Sequence, residues 1–338
     1  MEPLGLPGLL LPVRVRNAKS VVTDGTFCEV EGVSADPDAV PVPVRRLVDA
    51  ALVRRLVASQ FPQWADLPVR PVPRGWDNQT FRLGERLSVR LPTAQEYALA
   101  VDKEHRWLPV LGPQLPLPVP RPVTRGVPAH GYRFDWSVYE WIDGEPASLD
   151  RIGDLTGFAK ELAAFLVALR RVDPATGPQP GLHNWFRGGP LHVYDPQVRR
   201  AVETLDHRIP RDIITEIWQS ALTATWDGRP VWFHGDVAPG NLLIRDGVLA
   251  AVIDFGTCGV GDPACDVAIA WTLLSGPSRE AFRAGLDVDA ATWARGRAWA
   301  LWKTLIAYAG ALHDDPAAVA EAHRVIDDIV SEYATSGR

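Results

Sequence analysis

The stretch "VWFHGDVAPGNLLIRDGVLAAVIDFG", residues 231–256, sets His234, Asp236, Asn241 and Asp254 in one short span. Its runs "NLLIR" and "VLAAVID" are apolar and β-prone, and Asp246-Gly247 between them is the two-residue signal of a tight hairpin. Pairing that runs outward from such a turn brings Asn241 and Asp254 together at the hairpin's open end. Asp236 precedes Asn241 in a loop that Pro239 and Gly240 keep from becoming helical. The local pattern therefore gathers an amide oxygen and two carboxylates in one place. Hard oxygens of this kind suit Mg²⁺, which completes its octahedron with waters and substrate phosphates. A carboxylate beside the metal but not on it can take the proton of an attacking hydroxyl. That division of labour is the one phosphoryl transfer needs.

The segments "HGDVAPGN", "IDFG" and "GDPACDVA" resemble the aminoglycoside phosphotransferase family, the small-molecule branch of the protein-kinase-like fold. In protein kinases a catalytic-loop Asp is followed by an Asn and then by a DFG motif. Asp236, Asn241 and Asp254-Phe255-Gly256 follow that order here, and Gly235 stands where protein kinases carry a loop arginine. The resemblance implies that Asp236 is the catalytic base and that Asn241 and Asp254 hold Mg²⁺. It also implies that Asp266 braces the catalytic loop and that His234 orients its backbone. The donor implied is ATP, with GTP as the alternative. The acceptor implied is a small-molecule hydroxyl: an antibiotic of the aminoglycoside or macrolide kind, with antibiotic resistance as the biological setting, or an amino sugar. The resemblance spans residues 44–338 and is specific in 231–270.

Working outward, the expected architecture is α+β and bilobal, with a small strand-rich N-terminal lobe and a larger helical C-terminal lobe. Residues 1–43, rich in Pro, Gly and Val, read as a loosely attached extension. Residues 44–143 form the nucleotide-covering lobe and 144–338 the helical lobe with the catalytic loop and acceptor site. The boundary falls at Asp143-Gly144, after the strand-like "RFDWSVYEWI". In the first lobe, "VRRLVDAALVRRLVASQF" from Val44 is amphipathic and helical. Two short strands flank the Gly84-Glu85 turn, and a helix begins after Thr93, whose capping-box partner is Glu96. In the second lobe, helices are expected at 150–171, 195–206, 210–225 and 264–275, with two or more from 289 to the end.

A kinase-like first lobe must cover a nucleotide. "RGWDNQTFRLG" offers Gly75, Asp77 and Asn78 for a tight turn whose backbone N–H groups face phosphates, with Thr80 just beyond. The basic residue of the following strand is Arg90, where protein kinases have lysine. It keeps the charge and adds a bidentate fork. On the next helix Tyr97, Val101, Leu108 and Leu111 form one stripe, and Glu104 lies on it. A carboxylate on an inward stripe needs a partner, and Arg90 is the candidate. The resemblance places the adenine against backbone groups of Glu140, Trp141 and Ile142.

Composition bounds the rest. The 338 residues are 46% hydrophobic and 22% charged, enough for a sizeable core. A net charge of -6, without a basic run, argues against nucleic acid as partner. Three cysteines without a CxxC make neither a disulfide framework nor a zinc site. No apolar run approaches the roughly 18 residues of a spanning helix, so a cytoplasmic protein with no membrane partner, monomeric or dimeric, is expected. Tryptophans crowd the second lobe and serve either a pocket or the core. Asp206, Glu216, Asp314 and Asp315 are carboxylates available to a cationic acceptor, or solvated helix faces. Two alternatives share the motifs: a metabolic kinase of choline, homoserine or a sugar, and a catalytically silent nucleotide-binding scaffold.

Overall fold

The computed structural model describes residues 48–73 and 77–335. The expected extension at 1–43 and residues 44–47, where the first helix was expected to begin, lie outside the described residues. Helix α1 (Ala50–Gln60) starts where the Asp49 carboxylate accepts the Leu52 N–H at 2.7 Å, and it buries Leu52, Val53, Leu56 and Val57. These side chains cover one face of a five-stranded antiparallel sheet made of β1 (Val69–Pro71), β2 (Asn78–Leu83), β3 (Leu87–Pro92), β4 (Pro122–Gly126) and β5 (Trp136–Glu140), in the order β1-β2-β3-β5-β4. The Gly84-Glu85 turn joins β2 and β3, with Gly84 at φ +60°. The sequence did not reveal β4; its alternation of half-buried and exposed residues is that of an edge strand.

Helix α2 (Gln95–Leu111) crosses between β3 and β4 in sequence and buries the expected stripe, Glu104 included. Its start differs from the expectation. The cap is Ala94, and the Thr93 hydroxyl donates instead to the Asp77 carbonyl at 3.0 Å. Thr93 N–H bonds the same carbonyl at 2.8 Å, so the residue is committed to the turn before β2 and no capping box forms.

The chain then enters the helical part through β6 (Glu145–Pro146). Helices α3 (Leu155–Arg171), α4 (Asp195–Leu205) and α5 (Arg211–Thr223) follow. Strand β7 (Val231–Phe233) leads to the hairpin of β8 (Leu242–Arg245) and β9 (Val248–Val252). Asp246 and Gly247 at its tip have φ of 55° and 81°, the left-handed pair a type I′ turn requires. Strand β10 (Gly259–Gly261) pairs back with β7. The expected helix at 264–275 is mostly a 3-10 turn, Pro263–Ala268, continued by the short α6 (Ile269–Thr272). Pro263 starts this segment and Asp262 caps Ala264, which favours a tight turn over a long helix. Helix α7 (Gly276–Leu286) was not anticipated because Gly276-Pro277 reads as a break. Pro277 instead occupies the first turn, where its missing N–H costs nothing.

Helices α8 (Ala290–Ala311) and α9 (Pro316–Thr335) close the molecule. The core centres on α8, whose Trp299, Leu301, Trp302 and Leu305 are buried with Trp218, Trp232 and Trp271. Those tryptophans belong to packing. No helix among the described residues is long and apolar enough to cross a membrane.

Candidate active site

The hairpin does what its pattern implies. Asn241 accepts the Ile253 N–H at 2.8 Å through its backbone carbonyl, which fixes the open end and sets Asn241 near Asp254. The Asn241 amide nitrogen donates to the Asp236 carbonyl at 2.9 Å and to Asp236 Oδ2 at 3.0 Å. Both nitrogen hydrogens are thereby spent, and the amide oxygen is left to face elsewhere.

The loop carrying Asp236 is tied from below. Asp266 accepts the His234 N–H at 2.9 Å and the Gly235 N–H at 2.7 Å, one on each carboxylate oxygen. His234, fully buried, spans from the Asp236 N–H, 3.2 Å from its Nδ1, to the Ile253 carbonyl, 3.0 Å from its Nε2. That pairing assigns the Nε2–H tautomer. Gly235 has φ +88°, and a Cβ there would stand 2.5 Å from the Thr257 carbonyl oxygen, so only glycine fits.

Three cations frame the site. Arg90 reaches Glu104 at 3.4 Å and Asp254 Oδ1 at 2.8 Å, and Tyr139 hydroxyl donates to the other Glu104 oxygen. Burial opposes the Arg90 charge, but Glu104 and Asp254 outweigh it and hold the guanidinium firmly protonated. Lys103, on α2 beside Glu104, is buried and donates to the carbonyls of Gly256 at 2.6 Å, Cys258 at 3.1 Å and His183 at 3.1 Å. It clamps the segment after Asp254 to α2. Lys303 of α8 forms an ion pair with Asp236 Oδ1. Burial pushes the Asp236 carboxyl up, but Lys303, aided by Arg187 and His234, more than reverses this and the net shift is downward.

Neither Lys103 nor Lys303 was singled out from sequence. For Lys303 a signal existed: it is the one charge between Ala298 and Leu312, a run otherwise apolar or small apart from Thr304. A charge in such a run needs a partner.

Between the lobes a cleft is lined by Asp77, Asn78, Tyr97, His183, Trp185 and Asp254, among others. Burial, then the nearby Asp254 and Asp236 carboxylates, push the Asp77 carboxyl well up, and its Oδ1 has no hydrogen-bond partner among the described residues. Asn78 opens β2, and Thr80 lies opposite Arg90 across the β2–β3 pair. Gly75 lies outside the described residues. In the linker, the Glu140 N–H bonds Arg121 carbonyl at 3.0 Å and the Trp141 N–H bonds Arg86 carbonyl at 2.7 Å. The Glu140 side chain pairs with Arg121, and Arg82 stacks on Trp141 at 4.6 Å. The backbone N–H groups of Glu140 and Trp141 are thus already engaged within the protein. Asp206, Glu216 and Asp314 are exposed and Asp315 is partly so.

Among the described residues no three acidic, histidine or cysteine side chains converge to hold a metal by themselves. Asn241 Oδ1 and the Asp254 carboxylate form the smaller oxygen set that suits Mg²⁺ shared with phosphates. Cys258 and Cys265 are free and buried.

A model of the phosphotransferase enzyme family matches residues 68–299. Among solved structures, the GDP and kanamycin complex of APH(2")-IIia superposes with a TM-score of 0.65 at 20% identity, over 83% of this chain and 99% of that one. The streptomycin-ATP-APH(2")-IIa ternary complex gives 0.54 at 17%, over 85% and 98%. The apoenzyme of macrolide 2'-phosphotransferase MphH from Brachybacterium faecium gives 0.51 at 22%, over 82% and 97%. At such identities the likeness is one of fold. No curated protein matches the chain significantly by sequence.

Proposed function

Because the chain belongs to the phosphotransferase enzyme family, a family of small-molecule kinases, we propose that it transfers the γ-phosphoryl group of ATP, or of GTP, to the hydroxyl of a small acceptor. The observation that carries this reading is the Asp236–Asn241–Asp254 arrangement, with Asp236 ionised, held on both carboxylate oxygens and set beside two metal-suited oxygens.

In this reading Asp236 accepts the acceptor's proton as its oxygen bonds the γ-phosphorus, while the β,γ-bridging oxygen departs with ADP. Asn241 and Asp254 hold Mg²⁺, which when bound neutralises phosphate charge. Arg90 moves from Asp254 toward phosphate oxygens and keeps Glu104 as its anchor. The Ile142 backbone meets the adenine, with Glu140 and Trp141 shaping the linker. Gly75, with Asn78 and Thr80 at the start of β2, covers the phosphates. Residues 44–143 form the nucleotide-covering lobe and 144–338 carry the acceptor site.

Kanamycin, streptomycin and macrolides appear with proteins of this fold, so antibiotic-like hydroxyls come first in an acceptor screen. Sugars and small metabolic alcohols come second. The reading is tested by Mg²⁺-dependent ADP release stimulated by an acceptor. Absence of Mg²⁺-dependent nucleotide binding would leave the silent scaffold in its place.

A further inference from the structure

Three cations lie along α8, and each has one carboxylate. Arg295 pairs with Asp262 at 2.7 Å and Arg297 with Glu332 at 2.9 Å. The carboxylate of Lys303 is Asp236, the proposed base. The Lys303 ammonium has three N–H donors, and Asp236 is its only hydrogen-bond acceptor among the described residues. Its side chain keeps 23% exposure and that of Asp236 keeps 18%, so the pair is partly open to solvent.

A second cation stands behind. Arg187, 1% exposed, donates to the Gly235 carbonyl at 3.2 Å and the Tyr194 hydroxyl at 2.9 Å, and it stacks on Trp302 at 4.6 Å and Trp299 at 5.1 Å. It meets no carboxylate within ion-pair distance among the described residues. The Lys303 ammonium on Asp236 is thus backed by a second, buried cation, which bonds the same loop residue, Gly235, whose N–H Asp266 accepts.

Given the phosphoryl transfer proposed above, on which this rests, we infer that Lys303 is a specificity-determining residue that selects acceptors bearing no ammonium group beside the reacting hydroxyl. The hydroxyl must approach Asp236 within hydrogen-bond reach, hence close to the Lys303 ammonium. A neighbouring hydroxyl, ether or carboxylate oxygen accepts the two free N–H bonds. A neighbouring ammonium meets like charge in a partly desolvated site and leaves those donors unpaired. The acceptor class is therefore a neutral sugar or polyol, or a hydroxy acid.

The test compares kcat/KM for matched acceptors: glucose against glucosamine, glycerate against 3-amino-1,2-propanediol, and N-acetylated against free kanamycin. Wild type should prefer the ammonium-free member of each pair by about tenfold or more. Lys303→Gln should collapse that ratio through the acceptor KM, while Lys303→Arg, which keeps the charge, should retain it. A rise in melting temperature with Mg-ATP shows that each variant is folded. Equal or better use of the amine members by wild type overturns the inference and leaves phosphotransfer standing. A ratio unchanged in Lys303→Gln overturns the role of Lys303. Nucleotide binding without turnover of any member removes the phosphotransfer reading for these hydroxyls, and this inference with it.

Discussion

Asp236 is held from three directions: Lys303 on Oδ1, Asn241 on Oδ2, and His234 on its backbone N–H. The carboxylate is fixed in place and its pKa lies below the usual carboxylate value, which supports the proposed role of base. Asp236→Asn should keep fold and nucleotide affinity and lower kcat by about 10²–10⁴; single-turnover kinetics give the number, and a change of only a few-fold contradicts the role. His183 offers a different readout. Burial, with Lys103 beside it, pushes its imidazole from the usual 6.5 down to about 4, so the folded protein holds it neutral. Between those values the unfolded chain takes up a proton that the folded one refuses. Stability should therefore fall as pH drops from 6.5 to 4, and His183→Gln should flatten that slope in denaturation midpoints. Among single residues, Asp236, Asn241 and Asp254 were legible because their spacing around one hairpin is local. Lys303 and Lys103 were not, since their partners lie 67 and up to 155 residues away and only the fold supplies them.

At the scale of elements, the catalytic loop is a short bridge between β7 and β8 whose shape depends on Gly235. Gly235→Ala would force a left-handed alanine against the Thr257 carbonyl. Strain of about 1–3 kcal/mol is expected, and because Asp236 is the next residue, kcat should fall along with the urea midpoint. Unchanged values for both would show that the loop does not need this conformation. Helix α8 presents Lys303 and begins at Asp289, which accepts the Thr292 N–H at 2.6 Å. Asp289→Ala should cost about 1 kcal/mol. Hydrogen bonding to Thr292 lowers the Asp289 pKa, so the cap contributes above the ordinary carboxylate range and fades as pH falls through the lowered value. The β8–β9 hairpin and the inward Glu104 stripe were readable because period and turn chemistry are local properties. The α2 cap was misread because the Asp77 carbonyl that captures Thr93 lies 16 residues away. Helix α7 was not read from the sequence, although Pro277, like Pro263 of the 3-10 turn, sits in the first turn of its segment.

Across the whole molecule, Arg90 is the tie between the lobes. It sits on β3, grips Glu104 of α2 and reaches Asp254 at the end of the C-terminal hairpin. Arg90→Ala would leave the Glu104 carboxylate, 4% exposed, with Tyr139 alone, and a loss of up to about 3–5 kcal/mol is expected for breaking such a pair. It should also shrink the stabilisation by Mg-ATP, which for wild type reaches about 2.7 kcal/mol at a hundredfold excess over Kd. Equal ligand-induced shifts in both proteins would remove Arg90 from the nucleotide site. The bilobal α+β plan was legible because β-rich and helix-rich patterns divide along the chain, whereas the Lys303–Asp236 pair forms only when α8 packs beside the loop that follows β7. The most direct test of the account is Mg²⁺-dependent, acceptor-stimulated ADP release, measured for wild type and Asp236→Asn across neutral, acidic and amine-bearing hydroxyl compounds. The account predicts release by wild type, lost by orders of magnitude in the variant although both bind Mg-ATP. Equal release from the two proteins would contradict it.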